Sequence, residues 1–139
     1  MNWIHWSLLS AFFAAATAIL AKVGIHDVDS NLATFVRTAV VLVFAGVLVA
    51  LSGSVNNLRD FAPKTWLFLG LSGLATGLSW LCYFKALQIG EASKVAPVDK
   101  LSVVFVIILA ALFLGEAPTW KSGLGGGLIA AGAILLALK

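Results

Sequence analysis

The chain has 139 residues, of which 61% are hydrophobic and only 11% charged, with a formal net charge of +3. A soluble domain of this size could not cover that much apolar surface with polar groups, so the composition excludes one and points to an integral membrane protein. The small positive excess excludes a nucleic-acid footprint, and a single cysteine, Cys82, excludes an intrachain disulfide or a multi-cysteine metal site.

The first apolar run extends from about Trp3 to Ala21. It is preceded by "MN", with no Lys or Arg, whereas a secretory leader needs a basic start; the run therefore reads as a retained helix. Trp6, Ser10, Phe13 and Thr17 recur along it at spacings that place them on one helical face. His5 and His26 lie near opposite ends of this span, which argues against a shared metal site. After "KVGIHDVDSN" the second span covers residues 32–51 and carries Arg37 near its start. A polar break, "SGSVNNLRDFAPK", leads to the third span at 66–87. There Thr76, Ser79, Trp80 and Tyr83 share a face, and Trp80 lies well inside the span while Trp3, Trp6, Trp66 and Trp120 sit near span ends as interfacial anchors.

The fourth span ends at Leu114 and raises a question of length. Its uncharged part, Leu101 to Leu114, has 14 residues, and a crossing takes about 20. Counting back reaches Val95, with Pro97 in the first helical turn and Asp99 and Lys100 roughly 6 to 8 Å below the end. Lys100 can extend outward along its stem, but Asp99 is too short and should face protein or water. The expected partner of Asp99 is Arg37 or Lys85; the adjacent Lys100 points about 100° away on a regular helix and is a poorer one. The pair reads first as part of a charged layer that fixes helix packing. A substrate-facing role and a titrating, proton-coupling role are the alternatives. The fifth span, residues 119–138, contains "GLGGGLIAAG", with Gly123 and Gly127 in the GxxxG spacing of close helix contacts.

These five runs are too long and too uniformly apolar for strands, so the fold class is an all-α integral membrane protein of five transmembrane helices, one membrane domain over residues 1–139. One side of the membrane receives Lys22, Arg37, Lys85, Lys94, Asp99, Lys100 and Lys139; the other receives Arg59, Lys64 and Lys121. Counted near the surface this is three cations against three, and six against three when the deeper Arg37, Lys85 and Lys100 are included, so orientation is weakly specified and insertion in both directions is permitted. Mixed polar and aromatic faces suit a cavity for a small organic solute, with ordinary helix packing as the plainer reading. No nucleophile–base pair, metal cluster or phosphate-cradling loop is present, so neither enzymatic activity nor a cofactor is expected.

The order of motifs resembles the EamA family of the drug/metabolite transporter superfamily. The resemblance rests on "ALQIGEASKVAPVDKLSVVFVIILAALFLGE" with its Ser-x-x-x-Pro start to span four and its "LGE" exit, on the small-residue helix "GLIAAGAILLAL", and on "AKVGI" and "ATFVRTAVVL" at spans one and two. It covers the whole chain as one EamA-type repeat. Most such proteins carry two repeats inverted relative to each other; "APVDKLSVV" is similar to the single-repeat, five-span bacterial and archaeal branch. An odd number of spans then implies that the inverted pair forms from two oppositely inserted copies. Two departures matter. Ala14 and Ala15 stand where family members often have Trp-Gly, and span one lacks the acidic residue that couples protons in the similar small multidrug transporters.

The resemblance implies a multi-pass inner-membrane transporter that moves a small metabolite by alternating access as a homodimer, more fittingly antiparallel than parallel. Its substrate-binding candidates are Trp6, Ser10, Phe13, Thr17, Arg37, Thr76, Ser79, Trp80, Tyr83, Asp99 and Lys100. The cationic mouth favours an anionic or zwitterionic solute over a cation. The competing reading is a non-transporting membrane subunit, or half of a hetero-oligomeric lipid-carrier flippase.

Overall fold

The computed structural model of the chain describes residues 2–138, and of residues 56, 57 and 59 the backbone alone. Lys139 therefore lies outside the described residues, as does the side chain of Arg59, both of which enter the charge count above. Among the described residues the regular structure is entirely helical: α1 (Trp3–Gly24), α2 (Ser30–Leu51), a 3-10 turn (Ser54–Asp60), α3 (Pro63–Ile89), α4 (Ala92–Asp99), α5 (Ser102–Leu109) with a wide π turn (Ala110–Leu114), and α6 (Trp120–Ala137). Five segments are long and apolar enough to cross a bilayer, with Ala92–Leu114 acting as one broken span. Helices are the only open-chain solution here, because in hydrocarbon every backbone N–H and C=O must find its partner within the segment.

Polar residues outside the apolar runs set the helix ends. The Asp29 carboxylate accepts from the backbone N–H of Asn31 at 2.9 Å and of Leu32 at 3.1 Å, which starts α2 two residues before its first apolar residue. Pro63 opens α3, where its missing N–H costs nothing. The Thr119 hydroxyl accepts from the Ser122 N–H at 3.1 Å and caps α6. Gly53, at φ 68°, adopts the left-handed conformation that lets α2 end and the 3-10 turn begin.

The chain divides into two units, residues 24–88 and residues 1–23 with 89–139. In the first, burial is concentrated at Ile25, Thr34, Phe84 and Leu87, that is, at the start of α2, the end of α3 and the connection before α2. Gln88 ties these parts together, its side-chain amide donating to the Val28 carbonyl. From Thr38 to Leu51 and from Pro63 to Thr76 every residue is exposed. Such exposure carries no penalty in a bilayer, since lipid tails are as apolar as leucine and helices associate through van der Waals fit.

In the second unit Lys22 Nζ donates to the Gly90 carbonyl at 2.8 Å, fixing the end of α1 to the turn before α4. The close helix contact lies at Gly126: a Cβ built there would come within 3.1 Å of the Ile107 side chain, while one at Gly123 or Gly127 would meet nothing within 4 Å. The glycine-rich helix thus packs on α5 through a different face from the GxxxG pair. Spacing alone identifies several small-residue faces and cannot say which of them a neighbour occupies.

Candidate functional site

Two charged centres stand inside spans, one in each unit. In residues 24–88, Arg37 is the eighth residue of α2, so about seven helical steps, roughly 10 Å, separate it from the span's start. Its guanidinium carbon lies 4.3 Å from the centroid of the Trp80 ring and 5.4 Å from that of Phe84, both on α3. Phe84 is only 2% exposed and Trp80 half-buried, so the packed end of α3 fixes both rings. The phenol of Tyr83 lies within electrostatic reach of the same guanidinium.

Among the described residues no carboxylate pairs with Arg37; the ion pairs join His26 to Asp27, Glu91 to Lys94 and Asp99 to Lys100. An arginine at the centre of a span costs about 2.5 to 3.5 kcal/mol to insert, an upper bound for Arg37 in the first half of α2, and an aromatic face returns about 0.5 to 2 kcal/mol. The two rings therefore offset part of the cost and leave a charge with several N–H donors still to be satisfied. Thr34 and Thr38 beside it on α2 donate their hydroxyls to the carbonyls of Ser30 and Thr34, both at 2.7 Å. Thr76 does the same toward the Ser72 carbonyl at 2.9 Å, and like Ser79 it is exposed. The Thr76 hydroxyl is thus engaged by its own helix, as the plainer packing reading expects.

In the other unit, Asp99 closes α4 and Lys100 caps it. Lys100 Nζ donates to Asp99 Oδ2 at 3.2 Å, with the side chains 57% and 37% exposed. Within its own unit Asp99 thus meets the neighbour that the sequence reads as the poorer partner. The reason is local. The lysine stem is long and flexible enough to fold back across the angle between adjacent residues, at a point where the backbone also tightens: the N–H groups of Lys100 and Leu101 donate to the carbonyls of Pro97 and Val98, three residues back, at 3.1 and 3.0 Å. Pro97 is the sixth residue of α4, not a member of its first turn, because the helix starts at Ala92. A proline inside a helix leaves the carbonyl four residues before it without its usual donor, and the ladder re-forms with a different spacing beyond it. On α1, Trp6, Ser10 and Phe13 are exposed and Thr17 is half-buried.

Residues 1–138 match the EamA-like transporter family. The chain belongs to that family. An uncharacterized transporter of the cobO 3' region in Sinorhizobium sp is 52% identical over 137 residues, covering 99% of this chain and 97% of that protein. Solute carrier family 35 member G1 of Homo sapiens is 34% identical over 121 residues, and the uncharacterized transporter YvbV of Bacillus subtilis is 29% identical over 139. This chain spans only 32% and 45% of those two relatives, against 97% of the first. No solved structure matches the chain.

The protein is thus a multi-pass membrane transporter of the EamA family, with five spans as the motif order implied. The sequence singled out both charged centres. It missed Phe84 as a second ring beside Arg37, though a residue four positions after Trp80 shares its helical face and could have been found that way. It also missed the break after Asp99, for which Pro97 was the available signal.

Proposed function

We propose that this EamA protein carries a small metabolite across the inner membrane by alternating access, as a homodimer of oppositely inserted copies. The observation that carries the reading is the length of one repeat. Five spans fill nearly the whole of the Sinorhizobium relative, whereas the human and Bacillus relatives are two to three times as long as the part matched here. A second copy supplies what a second repeat supplies in a longer chain, and an odd number of spans makes that copy insert the other way up. The balanced loop charge described above permits this.

In this reading the solute-contact candidates of residues 24–88 are Arg37, Thr76, Ser79, Trp80 and Tyr83; Trp6, Ser10, Phe13, Thr17, Asp99 and Lys100 are candidates within the other unit, considered by itself. The apolar halves of α2 and α3 that nothing covers within the chain are surfaces for lipid or for the second copy.

Two measurements test it. Copies bearing different tags are co-expressed and one is captured from solubilised membranes; co-recovery of the other supports the homodimer, and its absence contradicts it. Proteoliposomes are then loaded with a defined mixture of amino acids, small carboxylates and phosphate. Saturable loss of at least one component through the purified protein supports transport, while retention of all of them favours the subunit reading.

A further inference from the structure

The Arg37 centre has a geometry that selects its ligand. The Arg37 guanidinium carbon lies over the Trp80 ring, 4.3 Å from its centroid, and the ring offers its N–H groups no oxygen acceptor, so the fork keeps hydrogen-bonding capacity in reserve. That planar fork matches the two oxygens of a carboxylate or phosphate. Among the described residues no carboxylate occupies it, and the half-buried side chain is not sealed off. The hydroxyl protons of Thr34 and Thr38 are donated to their own helix and do not compete with Arg37 for an anion. An organic cation fits poorly: the Trp80 face it would need already carries Arg37, whose charge would repel it.

We propose that Arg37, held over the Trp80 ring with Phe84 beside it, is an oxyanion anchor that binds the carboxylate or phosphate group of a small ligand. The inference rests on the transport reading for the route by which the anion arrives, and narrows its substrate class. The same chemistry could be met by a free solute or by the headgroup of an anionic lipid.

The test uses the full chain in nanodiscs of phosphatidylcholine, titrated separately with inorganic phosphate and with acetate at constant ionic strength while the melting temperature is followed. Both anions stabilise proteins in general ways, so the informative quantity is the difference between wild type and Arg37→Gln. Saturable stabilisation of the wild type, with apparent affinity roughly ten- to a hundredfold weaker in Arg37→Gln, is the expected result. Arg37→Lys keeps the charge without the fork and should fall between; should Arg37→Gln fail to fold, wild type against Arg37→Lys carries the comparison.

A second arm replaces part of the lipid with phosphatidylglycerol. Stabilisation there that depends on Arg37, without a response to the soluble anions, also supports the anchor and assigns the oxyanion to a headgroup. Equal responses of wild type and variant in both arms overturn the proposal. Arg37-dependent binding without uptake would keep the anchor and remove the transport reading. Uptake indifferent to Arg37→Gln, with no Arg37-dependent binding, would do the reverse.

Discussion

Arg37 and Asp99 each stand eighth in their span, yet the two spans accommodate their charges in opposite ways. Around Arg37 the helix is unbroken and the charge rests on aromatic faces 4.3 and 5.4 Å away. At Asp99 the helix is broken and the charge meets an opposite one on the next residue. The difference shows two solutions to a single problem. A long, planar cation can be supported by rings on a neighbouring helix and keep its donors in reserve. A short carboxylate cannot reach far, so the longer lysine beside it folds back to meet it.

The largest effect expected from breaking this contrast is at Lys100. Lys100→Leu leaves Asp99 without its partner inside a span, and should cost up to about 3 kcal/mol of insertion or stability, read as lower yield and melting temperature of the membrane-embedded protein. The double variant Asp99→Leu/Lys100→Leu should recover most of that loss, because it removes both charges together. Equal losses in the single and double variants would mean that the two residues do not act as a pair.

Next in size is Trp80→Ala, which removes the closer of the two rings under Arg37 and should destabilise by about 1 to 2 kcal/mol, with Trp80→Phe retaining part of the effect. If Trp80→Ala were as stable as wild type, the ring would be ordinary packing. A smaller change is expected at the break itself. Pro97→Ala restores a backbone donor and should shift stability by less than about 1 kcal/mol, while lengthening the protected stretch of amides seen by hydrogen exchange around Asp99 to Leu101. The smallest concerns α6: Gly123→Ala, where an added Cβ meets nothing within 4 Å, should leave the melting temperature unchanged, neutral within about 0.5 kcal/mol, and a larger loss would place a close contact at the GxxxG face.

Much of this molecule could be read from residue order. Span number follows from apolar run length, and family membership follows from the Ser-x-x-x-Pro, "LGE" and small-residue motifs taken together. The ends of the helices were harder because Asp29 and Pro63, which set two of them, lie outside the apolar runs, while Thr119 reads as the first residue of the fifth span and is the cap before it. The 3-10 turn at Ser54–Asp60 gave only turn-forming residues as a signal. Arg37 and Trp80 were each singled out for their chemistry, but their contact depends on how α2 and α3 pack, which no local pattern encodes. At Asp99 the adjacent Lys100 reads as the poorer partner because the angular rule for neighbouring residues leaves out the reach of a flexible lysine stem.

The most direct test of the oppositely inserted homodimer is the location of the C-terminus in cells, measured with matched reporters active only in the cytoplasm or only in the periplasm. Comparable signal from both reporters is the predicted result, and it would leave one gene product able to form both halves of the transporter. Signal from one reporter alone would contradict the antiparallel pair and require that the second half come from a different chain.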